Sequence, residues 1–214
     1  MPTTTGKTGF SVIEMVISVS IVGILLSSIF FAGQRGIALF ETGSVNNDVN
    51  SRAGRTMARI VREMIGADVP VADPALEPPF GTSEIDYRYP LGVAGGAPVW
   101  STPTRLTLEL AEGELDNGVD DNGNDLVDER SIVMIRELGS ADEQRVVLAN
   151  GISELLEGEI ANMADDNGNG LIDEEGLNFV LVADVLFIRL SVERINADGR
   201  RVVRTLEDAI ALRN

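Results

Sequence analysis

The apolar run at residues 10–32 constrains this chain more than any other feature. At about 1.5 Å of rise per helical residue, the run is long enough to cross a hydrocarbon core of about 30 Å. A short polar leader, residues 1–9, precedes it and carries one charged side chain, Lys7. A conventional signal sequence has a shorter apolar core, about 7–15 residues, followed by a small-x-small cleavage site. The sequence therefore predicts a single membrane-spanning helix.

An acidic residue, Glu14, lies inside this apolar run. A carboxylate within a bilayer segment costs about 2.5 kcal/mol or more, so such a residue is a functional hypothesis that needs a partner. A plain signal anchor, the alternative interpretation, gives no reason to place an acid at this depth.

The segment Gly9-Phe10-Ser11-Val12-Ile13-Glu14 resembles the N-terminal signal of type IV pilins and type II secretion pseudopilins. The resemblance implies that prepilin peptidase cuts between Gly9 and Phe10 and that the new amino terminus on Phe10 is methylated. It further implies that Glu14 neutralises the terminal amine of a neighbouring pilin or pseudopilin subunit during filament assembly.

Composition narrows the function classes. Seventeen basic and 34 acidic side chains give a net charge of −17, which disfavours nucleic acid as a partner and favours divalent cations. The chain has no cysteine, so no disulfide can stabilise an exported domain. It has no histidine either, which excludes His-based catalytic triads and makes catalytic zinc a poor candidate. No nucleophile or cofactor motif accompanies the carboxylates, and we predict that the chain is not an enzyme.

Charge around the span predicts its orientation. Lys7 precedes the span and the acidic bulk follows it, which predicts a C-terminal domain outside the cytoplasm. The pilin resemblance implies that the span lies in the inner (cytoplasmic) membrane before assembly. The predicted divisions are a leader (1–9), a transmembrane or filament-core helix (10–32), its amphipathic continuation (33–66), a proline-rich connector (67–104) and a β-rich domain (105–214). The continuation is predicted from apolar residues at helical spacing. They are Val45, Val49, Ala53, Met57, Ile60, Val61 and Met64.

Short alternating runs after the connector predict strands. They cover residues 105–111, 131–138, 145–148, 179–195 (with a break near Asp184) and 201–212. Asn196-Ala197-Asp198-Gly199 predicts a hairpin turn between the last two. A long N-terminal helix packed on an antiparallel sheet is an α+β arrangement, and it is similar to the pilin fold.

Two acidic loops, residues 116–129 and 162–175, repeat one pattern 45 residues apart. Both resemble the first half of an EF-hand calcium loop, in which alternate oxygen ligands surround one ion and a later backbone carbonyl joins them. The candidate ligands in the first loop are Asp120, Asn122, Asn124, the Leu126 carbonyl, Asp128 and Glu129. Those in the second are Asp165, Asn167, Asn169, the Leu171 carbonyl, Asp173 and Glu174. The sequence thus predicts one or two Ca²⁺ sites.

Two departures weaken that resemblance. The glutamate expected at the twelfth position is replaced by Ser131 and Gly176, and the glycine expected at the sixth is Asp125 in the first loop. Ring closure must then come from the acids at positions nine and ten or from elsewhere in the fold, and affinity is expected at about 10⁻⁴ to 10⁻³ M. The alternative is a solvated Asn/Asp/Gly turn that binds no metal.

The basic second half of the helix looks like that of minor subunits, namely J-type pseudopilins and W-type minor pilins. The sequence leaves open whether the filament is a pilus or a secretion pseudopilus. The competing function is a membrane-anchored calcium-binding or adhesin module that never polymerises.

Overall fold

The computed structural model describes residues 11–69, 76–196 and 198–212. One helix, α1 (Val12–Met64), is followed by nine strands. The strands are β1 (Ile85–Tyr87), β2 (Pro90–Ala94), β3 (Ala97–Trp100), β4 (Thr104–Leu110), β5 (Arg130–Arg136), β6 (Gln144–Ile152), β7 (Leu177–Val182), β8 (Val185–Ile195) and β9 (Arg201–Ala211). The predicted α+β class is confirmed as a long apolar helix plus an antiparallel sheet.

Local signals define both ends of α1. At its start the Ser11 N–H donates to Glu14 Oε2 (3.0 Å) and the Glu14 N–H donates to Ser11 Oγ (3.3 Å), which is a capping box. At its end Gly66 adopts a φ of 79°, and the Ala67 N–H donates to the Met64 carbonyl (3.1 Å). A glycine in this left-handed conformation is a common helix terminator because it has no Cβ to clash.

The chain divides into two compact units between Ser44 and Val45. In the first unit, the side chains described from Ser11 to Gly43 are all exposed, including the apolar ones. In the second unit, α1 contributes a buried apolar stripe to the core, as predicted. The stripe consists of Val49, Ala53, Met57, Ile60 and Met64.

The main sheet belongs to the second unit and is antiparallel throughout. Its strand order is β1-β4-β5-β6-β8-β7, and β9 also pairs with β8. One edge of β8 is covered along its whole length by β9. The other edge is divided between β7, which pairs from Val185 to Leu190, and β6, which pairs at Val192. Strands β4 and β6 both run antiparallel to β5, so their C-terminal ends leave the sheet on the same side.

The predicted connector is more regular than its proline content suggested. It contains β1, which joins the main sheet through β4, and the hairpin β2–β3. Proline is compatible with strands here because each strand of a two-stranded ribbon has one unpaired edge. Gly95 and Gly96, with φ of 62° and 84°, provide the turn of that hairpin.

Candidate functional site

Two sets of residues were predicted to be functional: the processing and assembly residues at the N-terminus and the two acidic loops. Gly9 and Phe10 lie outside the described residues. Glu14 lies in the first turn of α1, where its carboxylate forms the capping box with Ser11. Sequence reasoning treated Glu14 only as an intramembrane acid and missed this local partner.

Among the described residues, one helix is long and apolar enough to cross a membrane. The most apolar 18-residue window of α1 has a mean hydropathy of 2.4, and none of it is buried. Length and composition support a membrane span, and an N-terminal signal sequence passes the same criteria.

The acidic loops connect strands of the main sheet and are closed by the same backbone contact. The first loop joins β4 to β5, and the Ala111 N–H donates to the Glu129 carbonyl (3.0 Å). The second joins β6 to β7, and the Leu156 N–H donates to the Glu174 carbonyl (2.9 Å). The sequence repeat is therefore a structural repeat.

Asp120 and Asp165 hold the tight turn at the tip of each loop. Asp120 accepts backbone N–H groups from Gly123 (2.7 Å) and Asp125 (2.8 Å). Asp165 accepts the equivalent groups from Gly168 (2.6 Å) and Gly170 (2.8 Å). Desolvation acts to raise the pKa of Asp120, but the backbone N–H donors outweigh it and hold the pKa below its ordinary value.

The predicted ligands Asp128 and Asp173 lie at the entrance of each loop. Asp128 accepts the N–H groups of Asn117 (3.0 Å) and Gly118 (2.8 Å), one with each carboxylate oxygen. Asp173 does the same with Asn162 (3.0 Å) and Met163 (2.7 Å). Both carboxylates thus tie the two ends of their loop together.

In each loop, at least one predicted asparagine contacts the predicted glutamate, Glu129 or Glu174. In the first loop, Nδ2 of Asn122 (2.8 Å) and of Asn124 (2.7 Å) both donate to Glu129 Oε1. In the second, Asn169 Nδ2 donates to Glu174 Oε1 (2.6 Å), and Asn167 Oδ1 accepts the Asn169 N–H (3.0 Å).

The two leucines lie on the same turns as these asparagines. The Leu126 N–H donates to Asn124 Oδ1 (2.8 Å), and the Leu171 N–H donates to Asn169 Oδ1 (2.9 Å). These bonds fix the asparagine side chains against the backbone two residues further on, which is an Asx turn.

Sequence reasoning missed one further glutamate in each copy, Glu114 and Glu159. Glu114 Oε1 accepts the Asn122 N–H (2.9 Å), and Glu159 Oε1 accepts the Asn167 N–H (3.0 Å). The glycines before them allow this approach: a Cβ on Gly113 would lie 3.2 Å from the Asn122 Cβ, and one on Gly158 would lie 3.1 Å from the Asn167 Cβ. The sequence contains a repeat that could have identified these two glutamates, since Glu-Gly-Glu occurs at 112–114 and again at 157–159.

Each loop therefore contains two buried glutamates. Glu114 and Glu129 are 5% and 1% exposed, and Glu159 and Glu174 are 9% and 2% exposed. In all four, Oε2 is buried without a hydrogen-bond partner among the described residues. The described residues contain no group of three or more acidic, His or Cys side chains arranged around a metal position. Each candidate site thus consists of two carboxylates and neighbouring amides.

One arginine, Arg130, lies beside the first loop, and a second, Arg201, lies beside the segment leading to the second loop. Arg130 contacts Asp116 (3.6 Å) in this loop and Glu154 (3.7 Å) on the segment leading to the second loop. Buried Glu193 pairs with Arg201, which also donates to Ser153 Oγ (2.7 Å). A cavity of about 500 Å³ opens beside the first loop and is lined in part by Asn122, Asn124 and Glu129.

Comparison of the chain with protein-family models, with curated proteins and with solved structures finds no match.

Proposed function

We propose that this chain is a pilin-like subunit, of the minor type, of a type IV pilus or a type II secretion pseudopilus. In this proposal, prepilin peptidase processes the chain at Gly9–Phe10 and the subunit resides in the inner membrane before assembly. It then polymerises with other pilin or pseudopilin subunits, and the β-rich domain lies outside the cytoplasm. Nucleic acid is not an expected partner of so acidic a chain.

The supporting observation is the division of α1. Its first part exposes apolar side chains on every described face and carries Glu14 in its first turn. Its second part buries a single apolar stripe in the core of the sheet domain. A helix that is apolar all round needs an apolar environment, which a bilayer or the packed core of a filament supplies. An antiparallel sheet packed on the second part is the arrangement that the pilin resemblance implies.

The competing function is a membrane-anchored module that never polymerises. The apolar helix supports it equally, because anchoring also requires a span. The two functions differ in what they require of the N-terminus: polymerisation requires removal of the leader and a free amine near Glu14, whereas anchoring requires neither.

Mass spectrometry of the native protein separates them. We expect the chain recovered from membranes and from sheared surface material to begin at N-methylated Phe10. A chain that retains residues 1–9 and occurs only in the membrane fraction would contradict the filament proposal and leave the anchored module. The matched control is an integral membrane protein of the same cells, which must be absent from the sheared fraction.

A further inference from the structure

We propose that each acidic loop binds one calcium ion, anchored by Glu114 and Glu129 in the first loop and by Glu159 and Glu174 in the second. This proposal goes beyond the filament function and does not depend on it. It also changes the ligand set expected from the EF-hand resemblance, because Glu114 and Glu159 lie upstream of that motif and replace Asp128 and Asp173 as ligands.

The first step in the argument is the burial of negative charge. Each of the four glutamates is more than nine-tenths buried, and each places Oε2 where no described donor reaches it. Burying a charged carboxylate is costly unless an opposite charge or a metal ion pairs with it, even where one of its oxygens accepts a hydrogen bond. Two such groups in each loop require positive charge, and a divalent cation neutralises both at once.

The second step is the convergence of the two carboxylates on one residue. Asn122 donates its backbone N–H to Glu114 Oε1 (2.9 Å) and its side-chain Nδ2 to Glu129 Oε1 (2.8 Å). The two glutamates therefore lie on either side of a single asparagine. In the second loop the bridge between the glutamates passes through two residues. The Asn167 N–H donates to Glu159 Oε1 (3.0 Å), the Asn169 N–H donates to Asn167 Oδ1 (3.0 Å), and Asn169 Nδ2 donates to Glu174 Oε1 (2.6 Å).

The third step is that the aspartates and the glutamates of each loop differ in their hydrogen bonding. Asp120 and Asp128 each accept backbone N–H groups with both carboxylate oxygens, Asp120 at the tip of the loop and Asp128 at its entrance. Asp165 and Asp173 do the same in the second loop. These four aspartates are positioning residues that shape the loops, and the glutamates that flank them in sequence each keep Oε2 without a hydrogen-bond partner among the described residues.

The donor set identifies the ion. The groups that remain are carboxylate and amide oxygens, which suit hard cations, and the sequence contains no histidine or cysteine to favour zinc. A half-turn of an asparagine amide exchanges Nδ2 for Oδ1 at the same position, so Asn122 can turn a further oxygen towards a cation beside Glu129. Calcium accepts irregular sets of such ligands, whereas magnesium requires near-octahedral geometry and retains its waters.

The test is equilibrium dialysis with radioactive calcium on the full chain in detergent after EDTA treatment. We expect two calcium ions per chain and a melting temperature that rises with calcium over about 10⁻⁵ to 10⁻² M. E114Q should weaken one site about tenfold or more and leave the other, and E159Q should do the reverse. The number of calcium ions bound by the wild-type chain and its melting temperature are measured without any variant. The proposal is therefore still tested if a variant fails to fold.

The controls are D121N and D166N, which remove the same charge from exposed, equivalent positions of the two loops. An amide oxygen can still accept the hydrogen bonds that Asn117 and Asn162 donate there. We expect both controls to retain two ions. Fewer than two ions on the wild-type chain, full binding by E114Q and E159Q, or equal losses in the controls would each overturn the proposal. Complete displacement by equimolar magnesium would overturn the assignment to calcium.

Discussion

Glu14 has a local partner as well as a proposed distant one, and the two roles can be separated at this residue. Its carboxylate accepts the Ser11 N–H at 3.0 Å, so its conformation is fixed by the first turn of α1. The same carboxylate is a negative charge in an apolar segment, which the filament proposal pairs with the amine of a neighbouring subunit. A substitution that keeps the cap and removes the charge distinguishes the two.

Glu14→Gln should abolish assembly as completely as Glu14→Ala does. Glutamine serves in a capping box as glutamate does, so only the charge is lost in the first variant. Ser11→Ala is the matched control, because it removes the other half of the cap and keeps the charge. The measurement is the amount of subunit in the sheared fraction, relative to the amount in the membrane. Wild-type assembly by Glu14→Gln, with failure of Glu14→Ala, would show that Glu14 is only a helix cap.

Glu193 gives the chain a pH-dependent stability. Burial raises the pKa of Glu193, Arg201 opposes that rise, and the negative charges of Glu129 and Glu154 add to it. A folded-state pKa above the ordinary value of 4.5 means that the folded chain holds this proton more tightly than the unfolded chain. The resulting stabilisation is complete below the unfolded pKa and is lost as the pH rises through the folded one.

Glu193→Gln should therefore reduce the loss of stability that the wild-type chain shows as the pH rises above about 4.5. The measurement is the free energy of unfolding by urea, in EDTA, at several pH values. Glu207→Gln is the control, since it removes a carboxylate from an exposed pair with Arg189 on the neighbouring strand. Parallel profiles for Glu193→Gln and the wild type would contradict the expectation.

At the scale of elements, the strands explain why the acidic loops depart from the EF-hand pattern. The twelfth positions, Ser131 and Gly176, already belong to the sheet or its immediate border. Ser131 is buried in β5 and donates to Asn150 Oδ1 on β6 (3.0 Å). Gly176 donates its N–H to the Glu154 carbonyl (2.8 Å) and accepts the Ser191 N–H (2.7 Å). A long acidic side chain fits neither position.

Gly176→Ala should destabilise the domain by about 3 kcal/mol or more. A Cβ at this position would lie 1.7 Å from the Ser153 carbonyl oxygen. This oxygen is backbone, and both Ser153 and Gly176 are hydrogen-bonded to Ser191 on β8, so making room would disturb those bonds. Gly54→Ala is the contrasting variant: its Cβ meets nothing within 4 Å on α1, and helix propensity predicts a gain of about 1 kcal/mol. Urea unfolding of both variants measures the difference, and an unaffected Gly176→Ala would contradict this account.

At the scale of the whole molecule, the regular elements were the predictable part. The apolar stripe from Val49 to Met64 recurs every three or four residues, which indicates a helix, and the strand segments alternate with a period of two, which indicates a sheet. The hairpin β2–β3 was missed because proline content was weighed above strand pattern, although an isolated ribbon tolerates proline at its free edges.

The acidic loops were predictable in outline but not in detail. Spacing within the motif correctly brought Asn122 and Asn124 together with Glu129, because those residues are close in sequence. Spacing alone did not show that the Asp128 and Asp173 carboxylates accept backbone N–H groups at the loop entrances. It omitted Glu114 and Glu159 because their role depends on burial, and burial is a property of the folded domain.

The two loops have the same internal structure but join differently related pairs of strands. Their structure therefore does not depend on how the strands they join are arranged in the sheet. One joins β4 and β5, which are hydrogen-bonded neighbours, and the other joins β6 and β7, which are not. Turn, entrance and buried glutamates are nevertheless the same in both. Each loop is closed by the equivalent backbone hydrogen bond, from the Ala111 N–H to the Glu129 carbonyl or from the Leu156 N–H to the Glu174 carbonyl. We therefore expect other pairs of strand ends at that spacing to accept such a loop when it is grafted onto them.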